Sequence, residues 1–350
     1  MKLATGAGYW AAGPPSEAQE TMLEAESLGF HSFWTAEAYG SDAITPLAYL
    51  AAITKRIKLG TGIIQVSART PANCAMSMGT VDALAGGDRC IAGLGVSGPQ
   101  IVEGWYGQPW GRPYYWLKDY ATIMRKIWKR EEGLTHDGKQ LQLPYSGDDG
   151  LGVGKPLKSI LHMNPDIPIY IGSGNEATVR LTGEIADGWL PLGFYPGTMD
   201  EYKPWLEEGF KRAGNGKGWH NFEIQARVFV DVDEDVKASI DRLKPREALY
   251  IGGMGHKDKN FHKDIFVRRG FRAEADRIQE LYLAGHKEEA IATVPDEWID
   301  SRGLMGPPNR IKQRFKAWED SGANSLTVAP AQEAAVDLMA ELARLNPPRD

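Results

Sequence analysis

The sequence contains only two cysteines, Cys74 and Cys90, among 350 residues. Two cysteines exclude a disulfide framework, and we expect both to be buried thiols in a reducing cytoplasm. No run of 18 apolar residues occurs, so the sequence predicts no transmembrane helix. Residues 1–6, which precede the first turn, are too few for a secretory signal.

The sequence also lacks an excess of positive charge and the common hydrolase motifs. Its net charge of −6 and isoelectric point near 5.7 argue against nucleic acid or an anionic membrane as the main partner. The seven histidines form no H-E-x-x-H motif and no cluster with cysteine, so we predict no metal site. A G-x-S-x-G nucleophile motif is also missing.

Strand-like and helix-like segments alternate along most of the chain. Apolar, β-branched runs bounded by glycine or proline are typical of buried parallel strands. Eight such units that close on themselves predict an α/β fold of the (β/α)8 TIM-barrel type, and the alternative is an open, doubly wound sheet. The predicted strands are residues 3–6, 32–36, 57–66, 89–94, 167–171, 188–191, 222–231 and 325–328.

Two segments interrupt this alternation. Residues at about 132–165 contain Asp137-Gly138, a hairpin signal that predicts a small β excursion. Residues at about 232–309 are too many for one βα connection, and they contain helical stretches at 276–284 and 286–292. We interpret both as insertions into one domain of residues 1–350, with the second insertion over the barrel mouth.

The third predicted strand, Ile57–Val66, contains Gly60 and Gly62 in its interior. Glycine weakens a strand and often marks a bulge or the close approach of a ligand to the backbone. One interpretation is an irregular core strand. The other is that a flat cofactor lies against the backbone at Gly62 and Ile63.

Active sites of TIM barrels lie at the carboxyl ends of the strands. Glu37 follows the second strand there, either as a functional carboxylate or as an exposed loop acid. Gly93–Gly98 matches G-x-G-x-x-G, but Pro99 and later glycines argue against the helix that a dinucleotide fingerprint requires. We instead expect a glycine-lined loop around a cofactor.

The fifth strand ends in Gly172-Ser173-Gly174-Asn175, directly before a predicted helix. This turn is either an ordinary Asn cap or an anion site at the helix N-terminus. Aromatic residues near the predicted mouth favour an apolar or bulky substrate, although packing could also explain them. They are Trp10, Trp105, Tyr106 and Trp110.

Several of these segments, in this order, resemble the bacterial luciferase-like superfamily and, within it, the actinobacterial F420-dependent oxidoreductases. They are residues 32–40, 59–63, 70–71, 93–100, 183–189 and 250–260. The resemblance implies a (β/α)8 barrel that holds coenzyme F420, or alternatively FMN, against a bulge in the third strand. It also implies a cis Gly62–Ile63 bond, a cofactor phosphate near Gly174-Asn175, and a homodimer or larger homo-oligomer.

The site residues follow from the resemblance and from the strand ends. Glu37 matches the acidic residue after the second strand, but Ala38 replaces the histidine that often follows it. Proton transfer then falls to Tyr39, to Glu37 or to a residue of the second insertion, or the reaction needs less help with its proton. Tyr39 is the second catalytic candidate. The cofactor-binding candidates are Thr61, Gly62, Ile63, Gln65, Val96, Ser97, Gly98, Gln100, Gly172, Ser173, Gly174 and Asn175.

Three hypotheses of function remain open at this point. The first is F420-dependent hydride transfer to or from an organic small molecule. The second is an FMN-dependent monooxygenase on the same barrel. The third is a barrel that binds a ligand without catalysis, since a fold does not fix a function.

Overall fold

The computed structural model describes residues 1–10, 12–15 and 17–345. Among these residues, eight parallel strands pair in a closed ring in the order β1-β2-β3-β5-β8-β9-β10-β12 and back to β1. The barrel prediction is therefore confirmed, and the open-sheet alternative is wrong. The barrel strands are β1 (Lys2–Gly8), β2 (Ser32–Thr35), β3 (Lys58–Thr61), β5 (Cys90–Gly95), β8 (Ile169–Ser173), β9 (Gly188–Pro191), β10 (Glu223–Val232) and β12 (Ser325–Pro330).

Four further strands complete the described sheets. β4 (Ile64–Gln65) continues β3 beyond an irregularity and pairs with β5. β6 (His136–Asp137) and β7 (Gln142–Leu143) form an antiparallel hairpin around Gly138, as the Asp-Gly signal predicts. β11 (Gly303–Gly306) pairs with the last four residues of β10 and was not predicted from the sequence.

Helices cover the outside of the barrel and form much of the second insertion. Those that follow the barrel strands or lead into them are α1 (Ala18–Ser27), α2 (Ile44–Ile53), α3 (Pro71–Leu84), α4 (Pro99–Gly104), α5 (Pro113–Lys129), α6 (Glu176–Ile185), α7 (Met199–Ala213), α13 (Pro308–Glu319) and α14 (Glu333–Leu342). Those of the insertion are α8 (Val236–Ala248), α9 (Phe261–Arg268), α10 (Arg272–Leu283), α11 (Lys287–Thr293) and α12 (Asp296–Ser301). None of the described helices is both long and apolar enough to cross a membrane.

Two corrections concern helix starts. The sequence suggests that Thr45 caps α2, but the helix begins at Ile44, where Asp42 accepts hydrogen bonds from the amides of Ile44 and Thr45. Helix α4 was not expected at all. Proline is compatible with this helix because Pro99 occupies its first position, where the backbone N–H has no partner within the helix in any case.

The residues between β10 and α13 build a second apolar core next to the main one. Phe266 and Trp298 lie at its centre with their rings 4.9 Å apart. Phe229 of β10 belongs to this second core, whereas its neighbours Val228 and Val230 belong to the core between barrel and helices. The insertion therefore packs on the carboxyl-terminal half of β10. The division into one domain with two insertions stays a prediction.

Candidate active site at the barrel mouth

A bulge interrupts the sheet where β3 ends. Gly60 pairs with Ile91, but Ile64 pairs with Leu94, so three residues on one side face two on the other. An extra residue of this kind is a β-bulge. The Thr61 hydroxyl replaces the missing ladder bonds, because it donates to the Gly93 carbonyl (3.0 Å) and accepts from the Gly93 amide (2.9 Å).

The bulge opens toward the mouth of the barrel. Gly62 is exposed although Thr61 and Ile64 on either side are fully buried. The Gly62–Ile63 peptide bond is cis, as the resemblance implied. A methyl group on Gly62 would meet only the Trp34 ring, at 3.5 Å. The chain thus presents bare backbone to a recess, which is what a flat ligand needs in order to stack there.

The floor below this recess is closed by large side chains. Trp34 and Tyr170 lie with ring centroids 5.9 Å apart in an interior cluster with Ala4 and Ile91. The facing position on β3 is Gly60, where a methyl group would lie 2.6 Å from the Trp34 ring. A ligand can therefore reach the bulge only from the carboxyl ends of the strands.

Glu37 is buried beside the bulge, with its carboxylate fully engaged. It accepts hydrogen bonds from the backbone amides of Gln65 (2.7 Å) and Ala43 (3.1 Å) and from both terminal nitrogens of Arg69 (2.9 and 3.2 Å). The Gln65 side chain returns a bond to the Glu37 carbonyl (3.0 Å). Burial lowers the pKa of Arg69, but its bonds to Glu37 outweigh that effect and raise it. This network fixes the segment that follows the bulge.

Tyr39 lies at the rim, with 55% of its surface exposed. Its ring packs against Trp105 at 6.5 Å, and Trp110 stacks on Phe261 of the insertion at 6.3 Å. The loop after α4 therefore spans the mouth from β2 to α9. Its aromatic side chains give this edge of the mouth an apolar surface.

The predicted loop after β5 lines the next part of the mouth. Val96, Ser97 and Gly98 are half-buried and Gln100 is exposed. Gly98 precedes α4, and a methyl group on it would meet the Gln100 amide at 2.6 Å. The short helix α4 sets the position of Gln100, whereas the sequence predicted an unstructured glycine-lined loop.

The turn after β8 divides into buried and exposed residues. Gly172 lies against the Ile63 side chain, and the Ser173 hydroxyl bonds to Thr182 at 2.9 Å inside the fold. The Gly174 carbonyl accepts a bond from Arg268 at 2.7 Å. Asn175 is exposed and caps α6 through the Thr178 amide (3.0 Å), as predicted. A role for this turn in cofactor binding stays a prediction.

The insertion also contributes a polar group. The Tyr9 and Tyr250 hydroxyls are 2.8 Å apart, and the His262 ring packs edge-on against Tyr250 at 4.6 Å. Burial raises the pKa of Tyr9 to about 12 and lowers that of His262 to about 4. Arg227 of β10 also lies near Tyr250. An arginine between the apolar residues 226 and 228 of a strand was the available signal.

The comparisons with known proteins agree with this geometry. Residues 3–325 match the luciferase-like monooxygenase family. A Mycobacterium tuberculosis protein provisionally named a coenzyme F420-dependent oxidoreductase is 43% identical over 342 residues, which cover 97% of this chain and 98% of the relative. The 5,10-methylenetetrahydromethanopterin reductase of Methanopyrus kandleri is 26% identical over 346 residues, 93% of each chain.

Two solved structures share the fold over nearly their whole length. The F420-dependent tetrahydromethanopterin reductase from Methanopyrus kandleri superposes with a TM-score of 0.78 at 22% identity, covering 99% of this chain and 100% of that one. An F420-dependent secondary alcohol dehydrogenase, solved with an F420–acetone adduct, gives 0.74 at 16% identity, covering 97% of each chain. The predicted resemblance is confirmed: the chain belongs to the luciferase-like monooxygenase family.

Proposed function

We propose that this chain is a coenzyme F420-dependent oxidoreductase that acts on an organic small molecule. The observation that carries the proposal is the exposed bulge at Gly62 and Ile63, on a closed floor, in a chain 43% identical to a relative named for F420 dependence. When bound, F420 supplies hydride transfer at C5 of its deazaflavin. The protein supplies binding, orientation and exclusion of water.

The residues at the bulge fit a flat ring system. Gly62 and Ile63 offer backbone and one aliphatic side chain, and neither residue carries a charge. Thr61, Gln65 and Glu37 contribute by holding the bulge, since their side chains bond within the protein. Positions fixed in this way before binding lower the cost of orienting a ligand.

The remaining candidates line the two neighbouring strand ends. We propose that Val96, Ser97, Gly98 and Gln100 flank the ring system. We propose that residues 172–175 receive the phosphate-bearing tail, because the first turn of α6 is exposed and its amides and dipole favour an anion.

The proposed catalytic residues have different parts. Glu37 acts as a positioning residue, because each of its two carboxylate oxygens already accepts two hydrogen bonds. Tyr39 bonds to none of the described residues through its hydroxyl and lies at the rim. We propose that the Tyr39 hydroxyl exchanges the proton that accompanies hydride transfer. The apolar edge at Trp105 and Trp110 favours an apolar or bulky substrate body.

We also propose that the protein is a cytoplasmic homo-oligomer. Cys74 and Cys90 are buried free thiols, as expected in a reducing compartment.

An extended arm at residues 145–161 exposes apolar side chains, among them Leu151 (91%) and Ile160 (95%). Several exposed apolar side chains in one segment favour a protein interface. The variant Ile160→Asp should lower the mass measured by light scattering, and an unchanged mass would exclude the arm as the interface.

Titration of the cofactor-free protein tests the proposed function. Coenzyme F420 and FMN are each titrated, and binding is followed by quenching of their fluorescence. Tight binding of F420 with weak binding of FMN is expected. Preference for FMN would instead support an oxygen-activating monooxygenase, and binding of neither would support a barrel without a cofactor.

A further inference from the structure

Two arginines at the mouth have no counter-ion among the described residues. Arg227 lies on β10 between Ala226 and Val228, which pack into the core between barrel and helices. Side chains alternate along a strand, so Arg227 points to the opposite side, into the barrel. Neither Arg227 nor Arg246 of α8 makes a side-chain hydrogen bond or an ion pair within residues 1–10, 12–15 and 17–345, although many other arginines of the chain do.

Phe229 brings the two guanidinium groups together. The guanidinium carbon of Arg227 lies 5.3 Å from the centre of the Phe229 ring, and that of Arg246 lies 5.1 Å from it. The two carbons are therefore at most about 10 Å apart. A third guanidinium, that of Arg302, lies 5.9 Å from the same ring, but it is paired with Glu247.

Arg227 is crowded by protein atoms and yet exposed to solvent. Protein atoms surround its side chain closely enough to lower its pKa to about 10, first through burial and then through the charge of Arg246. The residue nevertheless keeps a large exposed surface. Both conditions hold together when a side chain enters a concave, open site. The guanidinium remains protonated at neutral pH, since about 10 is still well above 7.

Two unpaired like charges in such a site raise the energy of the folded state. A planar guanidinium binds carboxylate and phosphate oxygens in a fork geometry, and a bound anion would offset the repulsion between the two charges. The nearby groups pair directly with neither arginine, although the charge of Glu247 acts on both of them. Tyr250 lies under Arg246 at 5.3 Å, and Glu247 is already bonded to Arg302 and Trp298.

The position of this pair in the barrel suggests what binds there. In the order of the ring, β10 is four strands from β3 in either direction, so Arg227 lies across the mouth from the bulge. We propose that Arg227 and Arg246 form an oxyanion subsite that holds a carboxylate or phosphate group of the substrate. With the proposed function, on which this role rests, the rest of the substrate extends from the arginines toward the ring system at Gly62 and Ile63.

The anionic tail of F420 is a second source of the same chemistry, and the test separates the two. Benzoate serves as the probe, with benzamide as its neutral analogue, and saturation-transfer NMR measures binding to the full-length, cofactor-free protein. Benzoate should bind and benzamide should not. Arg227→Met and Arg246→Met should each weaken benzoate binding at least tenfold, and inorganic phosphate should compete.

The control variant is Arg56→Met, since Arg56 is exposed at the other end of the barrel, directly before β3. It should leave benzoate binding unchanged. F420 affinity, measured by fluorescence, should change less than twofold in Arg227→Met. If Arg227→Met does not fold, the affinities for benzoate and for F420 are compared in Arg246→Met, on helix α8, instead.

Three results would overturn the proposal. They are absence of benzoate and phosphate binding to the wild-type protein, unchanged benzoate binding in both arginine variants, and a loss of F420 affinity in Arg227→Met without a loss of benzoate affinity. The last result would assign the arginines to the cofactor tail. Failure of the wild-type protein to bind F420 would overturn the proposed function. Benzoate binding is measured without F420, so it would still show whether the two arginines bind an anion.

Discussion

Replacement of Glu37 by glutamine tests whether the network beside the bulge is as important as its contacts indicate. The side chains of Glu37 and Arg69 are only 2% and 16% exposed. Removing one partner of a buried ion pair leaves the other charge uncompensated and costs about 3–5 kcal/mol. For 350 residues, an unfolding entropy of about 2.1 cal/mol/K per residue converts this cost into a fall in Tm of about 4–7 °C.

The matched control is Glu176→Gln, which removes a carboxylate from an exposed pair with Arg180. A surface pair contributes about 0–1 kcal/mol, so Tm should fall by no more than about 1 °C. Scanning calorimetry measures both variants in one buffer. Equal, small shifts for Glu37→Gln and the control would refute the inference that Glu37 holds the bulge in place.

Two further predictions concern packing and pH. Gly60→Ala places a methyl group 2.6 Å from the Trp34 ring, so it should destabilise the fold by about 1–3 kcal/mol. Gly218→Ala, where the methyl group meets the His220 ring at an ordinary contact distance of 3.4 Å, should change the free energy of unfolding by less than about 0.5 kcal/mol. Equal effects of the two variants in denaturant unfolding would contradict the packing at Gly60. Burial lowers the pKa of His262 from 6.5 to about 4. As the pH falls, the unfolded chain therefore takes up a proton at His262 before the folded protein does. Stability that is present above pH 6.5 should be lost as the pH falls toward 4, at up to about 1.4 kcal/mol per pH unit. Urea unfolding at several pH values should show a smaller dependence in His262→Gln, and an identical dependence would contradict the assignment.

The barrel was predictable because its strands are short apolar runs bounded by glycine and proline. Asn175 predicted the start of α6, and Thr70-Pro71, a capping residue followed by proline, is a signal of the same kind at the start of α3; both caps make the expected hydrogen bond. The apolar runs, the glycine and proline boundaries and the helix caps can all be recognised from residues adjacent in the sequence. Strand β11 has no such signal, because Gly303-Leu304-Met305-Gly306 neither alternates nor contains a β-branched residue.

The contacts of the site were less predictable because they join distant parts of the chain. Glu37 was recognised as a candidate from its place after a strand. Its partners Gln65 and Arg69 are 28 and 32 residues away, and nothing in the sequence indicates that they meet. Arg227 could have been noticed as a charge in an apolar strand. Its approach to Arg246 depends on how the insertion packs on β10.

The most direct test of the account is F420 binding to a variant that fills the recess at the bulge. Gly62→Leu adds a side chain where the nearest protein atom is 3.5 Å from the first carbon, so the protein should fold. Gly218→Leu, at the opposite end of the barrel, is the control. We expect wild type and control to bind F420 equally and Gly62→Leu to lose at least tenfold in affinity. Undiminished F420 binding by Gly62→Leu would contradict the claim that the bulge carries the cofactor.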